Sequence, residues 1–236
     1  MRIYLVATIA FALTFLTSCS MRTVDASGIQ IEKSAALEDF SQITLAGNFT
    51  FKLKPGENTA ILLKGDSAFL EYISYSVKRK KLIIETKRDW KGGEPPVIEV
   101  TTNAPITHME LAGAVKVISN RRIAVDKFQI DMAGASYADL SLRANEAFIN
   151  QSGAAQLKIA GAVENLILNT TGASYTDAKT LPARNVKTTV NGASKAEVFA
   201  IDRLNVTLSG ASSLKYLGSP AIKSSISGNA TLSVIE

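Results

Sequence analysis

The sequence predicts an all-β chain: a parallel β-solenoid, right-handed β-helix-like, with about seven coils of 18–21 residues and an N-terminal β-rich cap. Three observations predict it. A glycine followed by a small residue recurs as Gly113-Ala114, Gly134-Ala135, Gly153-Ala154, Gly172-Ala173, Gly192-Ala193, Gly210-Ala211 and Gly228-Asn229, in steps of 21, 19, 19, 20, 18 and 18 residues. A fixed period near 20 residues marks stacked supersecondary units. Around each glycine the apolar residues alternate, as in Phe128, Ile130, Met132 and Leu204, Val206, Leu208. A period of two puts one face of a strand inward. The runs are short and rich in Thr, Val and Ile, which favours strands over helices. One such unit cannot bury its apolar face alone, whereas stacked units bury a continuous core.

Within each unit the pattern reads as strand, tight Gly-Ala turn, strand, then a looser turn of variable length. Glycine supplies the positive φ of a sharp turn, and the small residue after it implies little room beside the turn. Four residues before the glycine stand Met109, Ile130, Ile149, Leu168, Thr188, Val206 and Ser224; four after it stand Val117, Ala138, Leu157, Thr176, Ala196, Leu214 and Leu232. Both sets are expected to point inward. Two after it, Ser136, Ser174, Ser194 and Ser212 form a partial ladder. Hydroxyls bonding neighbouring turn backbones explain the ladder simply; a row facing a polymeric ligand is the sharper reading.

In chain order, Met1-Arg2, an apolar run over 3–16 and Leu16-Thr17-Ser18-Cys19 read as an export signal rather than a retained membrane span. Leu-Thr-Ser-Cys resembles a bacterial lipobox, so residues 1–18 are expected to be removed and Cys19 lipidated. Ser20, in place of Asp, leans toward the outer membrane. Cys19 is the sole cysteine, which excludes an internal disulfide framework. Residues 19–36 read as a tether carrying a short strand at Ile29-Gln30-Ile31, and 37–236 as one domain. The formal charge of +5 is a mild excess that, on an exported chain, does not suggest nucleic acid.

Residues 37–104 have no strict period. Phe40–Lys54 alternates around Gly47-Asn48, and Pro55-Gly56 is a turn signal. Asp66 reads as the N-cap of a short helix burying Phe69, Leu70 and Ile73. A hairpin follows, with the basic tip Lys78–Lys81, then a polar loop over 87–96 and a strand over 97–101. This part is expected to close one end of the solenoid and hide the edges of the coils over 105–236. The ordered set Gly47-Asn48-Phe49, Leu63-Lys64-Gly65-Asp66, Lys81-Leu82-Ile83-Ile84, Val97-Ile98-Glu99-Val100 and the Gly-Ala-Ser turns resembles the head GIN domain family. That family is described as putative auto-transporter adhesins and often found as exported lipoproteins. The resemblance covers 37–233. It implies a β-helix-like fold and brings no catalytic residues.

No catalytic constellation stands out. His108 is the only histidine, so a multi-histidine metal site is excluded, and its offset from Gly113 points it outward. Asp139, Asp177 and Glu197 all lie five after a glycine and form an interrupted acidic row. With Arg143 they are the candidates for carbohydrate chemistry, and solvated side chains are the simpler account. Trp90, in a basic loop beside Arg88, is a candidate for stacking on sugar rings or a membrane interface. The expectation is a non-catalytic, lipid-anchored envelope module without cofactor or metal, meeting a glycan or an envelope protein. A carbohydrate-active enzyme on the same scaffold, or a self-assembling structural component, is the alternative.

Overall fold

The computed structural model describes residues 23–235, so the export signal and Cys19 lie outside the described residues. Eighteen-to-twenty-one-residue coils stack as parallel strands, with one residue of each coil beside its equivalent in the next. Strand β10 (His108–Gly113), β12 (Lys127–Met132) and β18 (Ala221–Ile226) precede glycine turns; β11 (Lys116–Ala124), β17 (Ser213–Leu217) and β19 (Thr231–Val234) follow them. Between these, β13 (Tyr137–Gln151), β14 (Gln156–Thr170), β15 (Tyr175–Val190) and β16 (Lys195–Leu208) each run through the corner expected to be a loose turn. The first half of each belongs to the post-glycine sheet and the second half to the pre-glycine sheet. The variable coil length is absorbed by irregularities in register, such as the one between Ala178 and Pro182, rather than by loops.

The inward positions are as the spacing requires. Met109, Ile130, Ile149, Leu168, Thr188 and Val206 are buried, as are Val117, Ala138, Leu157, Thr176, Ala196 and Leu214. Full burial of an Ile or Leu contributes about 1.5–3 kcal/mol, so the inward column of each sheet is the main source of cohesion between coils. Gln151 joins this interior unexpectedly. Its amide donates to the carbonyls of Ala155 and Tyr175, and Thr176 Oγ1 donates to its Oε1.

At the turns, the close approach is made by the glycine and not by its neighbour. A Cβ on Gly153, at φ +79°, would lie 2.8 Å from the carbonyl oxygen of Gly134 one coil below. The next amide, Ala154 N, donates to that same oxygen at 2.8 Å. The alanines themselves are exposed. Their smallness is therefore not a demand of space, which corrects the expectation of a cramped position.

The cap contains part of the solenoid, in keeping with the alternation on either side of Gly47-Asn48. Strands β3 (Gln42–Gly47) and β4 (Thr50–Lys54) form one more glycine-turn coil, with Gly47 in register beside Gly113. Below them lie β7 (Lys81–Thr86) and β9 (Val97–Thr101), both parallel. The parallel stack then ends: β5 (Ala60–Asp66) runs antiparallel on β9, β6 (Ile73–Lys78) on β7, and β2 (Gln30–Ala36) on β5. The two-residue turn between β6 and β7 puts Arg79 and Lys80 at positive φ, 50° and 61°, as a tight hairpin turn requires.

Residues read as a tether are part of the fold from Thr23. Besides β2, strand β1 (Thr23–Asp25) pairs with β8 (Asp89–Lys91), inside the stretch read as a polar loop. The cause is Asp66. Its carboxylate caps helix α1 (Ser67–Leu70) through Ala68 N at 2.9 Å and accepts from Ser27 N, Ser27 Oγ and Gly28 N at 2.7–3.0 Å. One buried carboxylate thus ties the first strands to the helix.

Candidate binding face

The outward face of the pre-glycine sheet is the candidate site. One column, three residues before each glycine, carries Thr44, Glu110, Asp131, Asn150, Asn169, Thr189, Thr207 and Ser225, each in register with the next. Every member is polar. Stacking sets them about 4.8 Å apart along the solenoid axis. The next outward column is small at one end, with Ala46, Ala112, Ala133 and Ser152, and this lowers the surface beside the first. The result is a depression of about 540 Å³ lined by Glu110, Asp131, Asn150, Asn169 and Thr171 among others. Two more lie on the same face: about 300 Å³ around Phe148, Ile167 and Asn185, and about 360 Å³ around Thr189, Thr207, Lys223 and Ser225.

Hydrogen bonds run along the first column. Thr44 Oγ1 donates to Glu110 at 2.7 Å, Asn150 Nδ2 to Asp131 at 2.7 Å, and Asn169 Nδ2 to Asn150 Oδ1 at 2.9 Å. His108 Nε2 sits 2.7 Å from Asp131 Oδ2 and 3.8 Å from Glu110. The Thr44 hydroxyl, with Lys81 beside it, holds the Glu110 carboxyl below the usual range against the opposing effect of burial. Burial pushes Asp131 up, but hydrogen bonds from Asn150, His108 and Gln129 outweigh it and leave its carboxyl lowered. Charge therefore grades along the face: compensated acids near the cap, neutral amides in the middle, and Lys187 and Lys223 toward the far end. Neither lysine has an ion-pair partner among the described residues.

The residues singled out from sequence fall elsewhere. Ser136, Ser174, Ser194 and Ser212 do line up, but inward, at 0–1 % exposure, which removes them as a ligand-facing row. Ser174 Oγ donates to Gly153 and Thr171 carbonyls, the backbone role foreseen for such hydroxyls, whereas the hydroxyls of Ser136 and Ser212 have no partner. The reason is parity, since two residues after the glycine is an even offset and faces the core. Trp90 is half-buried in the cap, stacked on Phe69 at 4.9 Å, with its indole N–H donating to Asn48 O at 2.6 Å. Arg88 lies over the Tyr72 ring at 4.6 Å. Both hold the cap together rather than stand free in a loop.

The acidic row is real as a column: Asp139, Lys158, Asp177, Glu197 and Lys215 are in register on the post-glycine sheet. It is interleaved with cations. Lys158 pairs with Asp139 at 3.7 Å, and Lys179 with Glu197 at 2.8 Å and Asp177 at 3.2 Å, contacts that raise the Lys179 pKa. Arg143 instead lines a separate depression with Asn145 and Glu164. Among the described residues no three His, Cys, Asp or Glu side chains are placed to hold a metal ion.

Sequence comparison adds the family. The model of the family described as "Putative auto-transporter adhesin, head GIN domain" matches residues 39–220. The chain belongs to this family. Among solved structures, an adhesin-designated protein of Bacteroides fragilis superposes with a TM-score of 0.80 at 19% identity, covering 89% of this chain and 98% of its own. A second, from Parabacteroides merdae, gives 0.75 at 17% identity, covering 91% and 99%. A protein of Parabacteroides distasonis named as a putative lipid binding protein gives 0.72 at 16% identity, covering 91% and 100%. At these identities the likeness speaks for the fold. A search of curated proteins finds no match. The polar column was missed from sequence, although the offset of three before each glycine exposes it once the units are aligned.

Proposed function

We propose that this protein is a lipid-anchored, non-catalytic, adhesin-like module of the cell envelope whose pre-glycine face holds an extended, hydroxyl-rich polymer such as a glycan. The carrying observation is the column Asn150, Asn169, Thr189, Thr207 and Ser225, which repeats amide and hydroxyl groups once per coil and lines two of the depressions on this face. A polymer lying along the axis meets many equivalent weak donors and acceptors on a rigid surface. Such binding needs no convergent acid and base, and the acids of the opposite sheet are engaged with lysines. The family's adhesin designation and the lipobox-like Leu16–Cys19 support an envelope location.

The test is binding of the purified full chain to a polysaccharide panel. The double variant Asn150→Ala/Asn169→Ala is expected to bind at least tenfold more weakly at an unchanged melting temperature, while Lys158→Ala on the opposite sheet binds normally. Absence of binding across the panel, or indifference to the double variant, would overturn the reading.

A further inference from the structure

The two ends of the solenoid are finished differently. The N-terminal end carries antiparallel strands, with a Lys64–Glu32 ion pair at 3.3 Å and the exposed tip Lys78, Arg79 and Lys80. Charged edges of this kind resist further pairing. At the opposite end β18 bonds only to β16, and β19 only to β17. Among the described residues no second strand is in register with either of them. The last coil keeps the inward pattern, yet Ile222 is 43% exposed, Ile226 46% and Val234 53%. The equivalents of Ile222 and Ile226 one coil back, Leu204 and Leu208, are buried, and Tyr216, the equivalent of Val234, is partly buried. The end is thus a section through the core, rimmed by backbone donors and acceptors.

We propose that this end pairs with the same end of a second copy of the chain, β18 antiparallel to β18, about a two-fold axis at Ser224. Three arguments select this occupant. First, the charged antiparallel lid withholds the other end, so copies cannot add head to tail, and the pairing closes as a dimer. Second, the segment Ile222-Lys223-Ser224-Ser225-Ile226 is nearly a palindrome. Residues directly opposite in an antiparallel pair share a face, so an axis at Ser224 sets each Ile222 against Ile226 of the second copy and continues the core. It also sets Lys223 opposite Ser225. Third, the neighbouring registers are worse. An axis at Lys223 would oppose two lysines, which is destabilising. An axis at Ser225 would set Ile226 against Ser224 and Ile222 against Gly228, separating the isoleucines. Only one coil cross-section is buried, which is small for a stable interface, so the dimer is expected to dissociate on dilution. Main-chain bonds supply much of its affinity, as in strand addition generally. The pre-glycine faces of both copies join in one sheet, whatever that face binds.

Sedimentation of the full chain across a range of concentrations, with thiol cross-linking, tests this. The mass is expected to double and stop there, and Ile226→Lys to return it to the monomer with an unchanged β-sheet circular dichroism spectrum. On a Cys19→Ser background the introduced thiol is the sole one. There Ser224→Cys, whose opposed Cα atoms fall in disulfide range, is expected to oxidise to a dimer at least tenfold faster than Ser225→Cys. A monomer at every concentration, open-ended growth, or equal cross-linking of the two variants would each overturn the proposal. Should Ile226→Lys fail to fold, the cross-linking pair decides alone.

Discussion

At the turn, a single hydrogen atom separates fit from collision. Gly153 meets the backbone of the coil below, while Ala154 beside it faces solvent. A left-handed backbone costs a non-glycine residue roughly 1–2 kcal/mol, and the collision with Gly134 O adds to that. Gly153→Ala is therefore expected to destabilise by more than about 2 kcal/mol, a fall of several degrees in Tm for a chain of this size. Ala154→Ser is expected to stay within about 0.5 kcal/mol, as exposed substitutions usually do. Equal effects at the two positions in a thermal melt would contradict the assignment of the close contact to glycine. The interior hydroxyls of Ser136, Ser212, Thr170 and Thr188 have no partner. The structure offers no compensation for them.

In the cap, the element at stake is the junction of β1, β2 and α1, joined through Asp66. Burial pushes its carboxyl up, but hydrogen bonds from Ser27, Ala68 and Gly28 prevail and hold it below the ordinary value. The unfolded chain therefore binds this proton more readily than the folded one. The stability it contributes is present above the unfolded pKa and is lost as pH falls through the lower folded pKa. Trp90, the sole tryptophan, stacks on Phe69 of that helix and reports the cap directly. An acid titration of its fluorescence is expected to show cap loosening below the ordinary carboxylate range. In Asp66→Asn the cap is expected to be weaker at neutral pH and this acid step to shrink. An unaltered acid profile in the variant would show that other carboxylates govern the cap.

For the whole molecule, the proposed anchor at Cys19 and the open end belong to opposite ends of the chain. Thr23 is four residues beyond Cys19, a reach of at most about 14 Å, and β1 belongs to the cap. A lipid on Cys19 would therefore hold the capped end at the membrane. The coils from Gly47 to Gly228, about 4.8 Å apiece, would carry the open end roughly 30–35 Å away, free to meet a second copy. Cys19→Ala is expected to move the protein from the membrane to the soluble fraction and abolish metabolic labelling with a fatty acid. Retention of both label and membrane association would rule out Cys19 as the anchor.

The glycine period and the alternation around it determined the solenoid, its coil boundaries and the inward columns. A stacked repeat imposes the same local demand on each unit, so the pattern recurs in the chain itself. Asp66 as an N-cap was legible for the same reason, because capping is settled within a few residues. What the chain order concealed was decided by contacts distant in sequence. Strand β8 pairs with β1, and Trp90 finds Phe69. The serine ladder was visible as a row, but whether it faced ligand or core depended on how each strand sits after its turn. The pre-glycine column became a surface only when residues some twenty apart came into register, because the sheet hydrogen bonds that set this register run between coils.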